Sequence, residues 1–166
     1  MRLPRALAIL ILLLPLLLDA CASGRLQCAP YARAISAVDL YGDGGDWWQE
    51  ATGRYRRSQL PMPGAVLVWR RSSRLPEGHV AVVSRVVSAR EILVDHADWA
   101  PGRISKAAPV IDVSAENDWS LVRVWWPPSG QMGITRYPTW GFILPVPASP
   151  GALQVSARPA LHMNRG

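Results

Sequence analysis

Cysteine and histidine are scarce. Cys21 and Cys28 are the two cysteines and His79, His96 and His162 the three histidines in 166 residues, so the chain can form at most one disulfide, Cys21 to Cys28. Neither a C-x-x-C nor an H-x-x-x-H pair occurs. A zinc site made of Cys28, His79 and His96 has suitable ligand types but lacks the short ligand pair common to such sites. A spanning apolar run is also missing. The stretch "ALAILILLLPLLL" is broken by Pro15 and stops at Asp19, short of the roughly 20 residues a transmembrane helix needs. Length excludes a second ordinary domain but allows one with a core. Charge is one-sided but spread out. The arginines are scattered apart from "RYRR" (54–57) and "WRR" (69–71), with no recognisable nucleic-acid module, so nucleic acid is not expected as a partner.

The N-terminus carries an export signal: Arg2 and Arg5, the apolar run, then the small-residue exit "DACASG". Two processing sites fit. Ala20-Cys21-Ala22 is an A-x-A site that would start the mature chain near Ser23. Alternatively "LDAC" resembles a lipobox, with Cys21 as the lipidated first residue; Asp19 is an unusual occupant of such a box, while the presence of Cys21 favours it. The expected location is outside the inner membrane, in the periplasm or at the outer membrane, with a membrane tether through Cys21 in the second case. Removing Arg2, Arg5 and Asp19 leaves 16 basic against 11 acidic side chains.

Residues 1–22 are therefore read as signal, 23–130 as the folded domain and 131–166 as a Pro/Gly-rich extension, partly packed and then disordered after about 147. Within the domain, "CAPYARAISAV" has helical spacing, with Pro30 tolerated in the first turn, which sets Cys28 at a helix N-terminus. Asp46 followed by Gln49 resembles a capping box for a short second helix anchored by Trp47 and Trp48. "AVLVW" (65–69) reads as a buried strand, and 79–86 and 91–98 as a hairpin. "VIDVS" and "LVRVWW" are two further strands. Helices followed by about five antiparallel strands predict an α+β fold.

The hairpin concentrates the chemistry. Alternation puts His96 and Asp98 on one face of the second strand. Turns centred near residue 88 bring His79 opposite, or one diagonal step from, both. A thiol at a helix start, an imidazole to pair with it and a second polar group to fix the imidazole tautomer make a nucleophile, base and orienter. Each member also has a plainer use: Cys28 as a small buried hydrophobe, His79 and His96 as satisfied core histidines.

The blocks "LQCAPYAR", "GDWWQEATGRY", "PMPGAVLVW", "GHVAVVSRVV" and "ILVDHADW" together resemble the cysteine, histidine-dependent amidohydrolase/peptidase family, the CHAP domain, in order from about Gln27 to Trp126. The resemblance implies a papain-like α+β fold of the CHAP/NlpC type, with N-terminal helices packed on an antiparallel sheet of about five strands. It implies hydrolysis of peptidoglycan amide bonds, as an N-acetylmuramoyl-L-alanine amidase or a peptide-bridge endopeptidase, without metal or organic cofactor. By position, Cys28 is the nucleophile and His79 the general base. Where the family often has Glu-x-Asn-Trp, this chain has His96-Ala97-Asp98-Trp99, so either His96 or Asp98 orients His79. Gln27 is a candidate oxyanion donor and Trp99 a candidate substrate contact. The partner implied is peptidoglycan, and a monomer is expected. The competing reading is a non-catalytic peptidoglycan-binding envelope protein or regulator.

Overall fold

Every residue of the strand Val66–Trp69 is buried, which a strand covered on one face alone does not show. Both faces are covered because the sheet closes. The computed structural model describes residues 26–147. The segment read as an export signal, with Cys21, the tail expected to be disordered and His162 lie outside them. The described chain runs through α1 (Cys28–Ile35), a 3-10 turn (Gly44–Asp46), α2 (Trp47–Glu50), β1 (Tyr55–Ser58), β2 (Val66–Trp69), β3 (His79–Ser88), β4 (Glu91–Ala97), β5 (Ile104–Asp112), β6 (Leu121–Trp126), β7 (Gln131–Met132) and β8 (Tyr137–Pro147). Strands β2, β3, β4, β5 and β6 pair in sequence, and β8 pairs with both β2 and β6, closing a six-stranded barrel; β1 extends from β8 and β7 from β6.

Alternation sorts the apolar side chains into two cores. Leu67 and Trp69 of β2, Ala81 and Val83 of β3, Ile92 and Val94 of β4, Val110 of β5, Val122 and Val124 of β6 and Phe142 of β8 form one buried cluster that draws on all six barrel strands. Val66, Val68, Val80, Val82 and Ile143 point the other way and meet Ala29 and Ala32 of α1, Val38, Leu40, and Trp47 of α2. His79 continues the parity of Ala81 and Val83, and His96 that of Ile92 and Val94. Both histidines therefore belong to the inner face, at one end of the barrel.

This architecture corrects the α+β expectation of helices on a five-stranded sheet: the protein is mostly β, 45% strand and 12% helical, with two short helices and a closed barrel. The error lies in the strands that sequence patterning did not show. Tyr55–Ser58, "YRRS", has no apolar alternation, and Tyr137–Pro147 carries three prolines, which ordinarily argue against an interior strand. The barrel accommodates this strand with a bulge opposite Val68 and Trp69. Gly141 beside it has φ 120, and a Cβ there would lie 2.6 Å from the Ser58 carbonyl oxygen. Helix α1 is also shorter than its periodicity suggested, ending at Ile35. The Asp46 carboxylate does not cap α2; it accepts from Arg71 Nη2 at 2.7 Å.

A chain ended at Gly130 would lose the strand that joins β2 to β6. It is expected not to fold, read as loss of amide dispersion in NMR. In the full chain, Phe142→Ala is expected to cost about 3–5 kcal/mol, the usual penalty for removing a buried aromatic ring, measured by denaturant unfolding.

Candidate active site

Two elements meet at the barrel end. Helix α1 begins with Cys28 immediately after extended Gln27, whose side chain makes no cap. The first backbone N–H groups of a helix have no partner inside it and favour negative charge nearby. Strand β3 begins with His79, directly after Gly78. That glycine has φ 67, and a Cβ on it would sit 2.4 Å from the Gly45 Cα, so no other residue fits between the 3-10 turn and the strand. The close approach is fastened by the Gly45 N–H donating to the Glu77 carbonyl at 2.8 Å. Arg71 adds a fork, donating to Asp43 at 2.9 Å and to Asp46 at 2.7 Å.

Cys28, His79, Gln27 and Asp98 line one cleft of about 320 Å³, together with the loop from Arg74 to Gly78. His79 and His96 are 4% and 1% exposed, and His79 Nε2 lies 3.2 Å from His96 Nδ1. One of these nitrogens must carry the hydrogen and the other accept it. The pairing leaves His79 Nδ1 as the nitrogen not used by His96. Trp69 and Trp99 wall in the pair: Trp99 stacks on the His96 ring at 5.7 Å and meets His79 edge-on at 5.1 Å, and Trp69 meets His79 at 5.3 Å.

The hairpin register at this end is one of the two anticipated. Val82 opposes Asp95 and Val83 opposes Val94. Continued to the start of β3, that spacing brings Asp98 across from His79 and puts His96 on the diagonal. The diagonal neighbour nevertheless makes the hydrogen bond. Asp98 lies just past β4 with φ 61, and its Oδ1 accepts the Gly102 N–H at 2.7 Å, so its carboxylate closes a turn instead of holding His79. Asp95 points away as well, bound by Lys106 Nζ at 3.0 Å and the Ala107 N–H at 2.8 Å. Among the described residues, no carboxylate is hydrogen-bonded to either imidazole. Trp99 does not line the Cys28 cleft; it borders a separate groove with Trp126, Ile134 and Tyr137. No cluster of three His, Cys, Asp or Glu side chains suited to a metal occurs among the described residues.

Electrostatics follow from burial without an anion. Burial pushes the Cys28 thiol above its ordinary range, and hydrogen bonding from the backbone of Val80, Ala29 and Cys28 itself opposes that rise; the Asp98 charge adds to it. Burial, then repulsion from His96, holds His79 well below the usual histidine range. His96 is lowered to about 4 by burial, against a smaller upward pull from Asp95. Burial thus favours the neutral form of the thiol and of both imidazoles.

The loop Arg70–Gly78 was not singled out in the sequence, although its Ser, Pro and Gly residues signal a turn. It forms a wall of the cleft. A thiol at a helix start sharing a cleft with a buried imidazole pair has the components of cysteine-based acyl transfer. The family model of the CHAP domain matches residues 20–98 of the chain. CHAP domains are in general hydrolases of the amidase or peptidase kind, with peptidoglycan as substrate. No curated protein and no solved structure matches the chain.

Two outcomes follow from the neutral pair. The ring resonances of both histidines are expected to remain those of neutral imidazole at pH 5. Because both folded values lie below the unfolded one of about 6.5, stability is full above that pH and falls as pH drops from about 6.5 towards 4. Iodoacetamide is expected to alkylate Cys28 more slowly at pH 6 than a free thiol. In His96→Glu an anion against His79 would favour the imidazolium and, through it, the thiolate, accelerating that alkylation roughly tenfold for each unit by which the thiol is lowered.

Proposed function

We propose that the protein is an exported peptidoglycan hydrolase that cleaves amide bonds with Cys28 as nucleophile and His79 as general base. The observation that supports this most is the combination of Cys28 and His79 on one cleft with His79 Nε2 held 3.2 Å from His96 Nδ1. His96, by accepting from His79 Nε2, fixes the tautomer in which Nδ1 is free to take a proton. It is the orienting residue in this reading, and Asp98 is not.

The chemistry begins from the neutral pair. As Cys28 Sγ attacks the amide carbonyl carbon, its proton passes to His79 and a carbon–sulfur bond forms. The oxyanion develops near the Cys28 backbone N–H and the Gln27 amide, the donors proposed for it. The carbon–nitrogen bond then breaks as the His79 imidazolium gives its proton to the leaving amine. A water deprotonated by His79 attacks the thioester, releases the carboxyl product and restores the thiol. Charge separation arises only along the reaction path, so stabilisation by the helix-start N–H groups acts on the transition state more than on the resting enzyme. The export signal and, in the lipidated form, a tether at Cys21 would hold the enzyme in the envelope; seven residues from anchor to nucleophile reach roughly 25 Å at most.

Digestion of purified peptidoglycan by the mature protein and by Cys28→Ala, with products resolved by mass spectrometry, tests the reading. New muropeptides are expected with the wild type and none with the variant, and their masses separate the amidase from the endopeptidase. Unchanged peptidoglycan with both proteins, under reducing conditions from pH 5 to 8, would instead support the non-catalytic binding module. His96→Ala is expected to lower kcat by about 10²- to 10⁴-fold, the range lost when general-base catalysis is disabled.

A further inference from the structure

The loop between β2 and β3 is fixed by its backbone and leaves two opposite charges unused. The Ser72 and Leu75 N–H groups donate to each other's carbonyls at 3.0 and 3.1 Å, closing a tight hairpin. Three successive carbonyls are then occupied: Leu75 accepts the Gly78 N–H at 2.9 Å, Pro76 accepts Arg71 Nη1 at 2.8 Å, and Glu77 accepts the Gly45 N–H at 2.8 Å. With the main chain so held, the side chains of Arg74 and Glu77 are both exposed and both line the Cys28 cleft. Neither belongs to an ion pair among the described residues, whereas Arg71, three residues away, bridges two carboxylates. Asp98, the cleft's other carboxylate, is committed to the Gly102 N–H.

This cleft wall therefore reads cation, Leu75, Pro76, anion, on a rigid support. We propose that Arg74 and Glu77 are specificity-determining residues that select a peptide bearing both a free carboxylate and a free amine, Arg74 taking the carboxylate and Glu77 the ammonium. The assignment rests on the hydrolase reading for the identity of the peptide as a peptidoglycan stem. A guanidinium matches a carboxylate through two parallel hydrogen bonds, and a carboxylate takes up an ammonium as a point charge. Two opposite charges separated by apolar residues discriminate better than one, because a peptide lacking either group leaves a charge in the cleft without a partner.

The test uses soluble muropeptides, released from peptidoglycan by a muramidase, in three forms: native, with carboxylates amidated, and with amines acetylated. Affinity for the Cys28→Ala protein is measured by calorimetry alongside kcat/KM of the active enzyme. The native form is expected to bind about tenfold more tightly than either neutralised form, the scale of one well-made charge-assisted contact. Arg74→Gln is expected to abolish the preference over the amidated form alone, and Glu77→Gln the preference over the acetylated form alone, each through KM with kcat retained. Equal affinity for all three forms, or equal losses across them in both variants, overturns the assignment. Because binding to Cys28→Ala needs no turnover, absence of cleavage by the wild type would count against the hydrolase and leave the charge preference to be decided by calorimetry.

Discussion

The contact between His79 Nε2 and His96 Nδ1, 3.2 Å long and buried at the barrel end, is the constraint on which the cleft depends. It requires two inward-facing positions on adjacent strands, a register that makes them diagonal neighbours, and aromatic walls to keep water out. Each requirement is met by the barrel. His79 sits on the inner face of β3 because Ala81 and Val83 do, and His96 on that of β4 because Ile92 and Val94 do. An imidazole in this place can both accept and donate, whereas an ionised carboxylate can only accept. His96 therefore supplies a hydrogen bond to His79 without bringing a permanent charge into the barrel end.

That absence of charge sets the energetics. A buried ion pair costs several kcal/mol of desolvation per ion unless other groups compensate. Here burial favours the neutral thiol and the neutral imidazoles, so the fold does not carry that cost. The walls around the pair suit a transient cation: the Trp99 face lies against His96, and a ring face attracts positive charge. The two nearest carboxylates are kept out of the pair by specific partners, Asp95 by Lys106 and the Ala107 N–H, Asp98 by the Gly102 N–H. The absence of a carboxylate partner for either imidazole thus follows from these local hydrogen bonds.

Period-two alternation made the histidine arrangement legible in the sequence, because the registers that pair His79 with either His96 or Asp98 both put all three on one face. The cysteine at a helix start was legible from Pro30 and the spacing behind it. The barrel was not, because closure depends on β8 joining β2 and β6, whose paired residues Trp69 and Thr139, and Val122 and Tyr137, are far apart in the chain, and local pattern carries no trace of such pairing. Prolines 138, 145 and 147 and Gly141 masked the strand further. The local role of Asp98 was hidden for a related reason: parity assigns it to the His79 face, but the strand ends at Ala97, and in the left-handed turn that follows its carboxylate accepts the Gly102 N–H. The specificity loop escaped notice since a turn-rich sequence says that a loop exists and not which cleft it borders.

The unseen strand is also what supports the visible site. The family match stops at residue 98, before Trp99 and well before β8. Yet the Arg70 N–H donates to the Pro138 carbonyl at 2.9 Å, Arg70 Nε donates to Thr139 at 2.9 Å, and the Arg70 guanidinium lies 3.9 Å from the Trp140 ring centre. These contacts pin the residue at which β2 gives way to the cleft loop. From the same strand, Tyr137 meets Trp99 at 5.0 Å and backs the ring that covers His96. Thr139 is buried and hydrogen-bonded to the Trp119 carbonyl, so the strand itself is tied into the inner core. Cys28 and the imidazole pair lie within the matched segment, but the aromatic walls and the loop that faces them are held by residues beyond it. Substitutions in Tyr137–Trp140 should therefore act on the site through its support, altering the packing of Trp99 and the placement of Arg74 and Glu77 without touching Cys28.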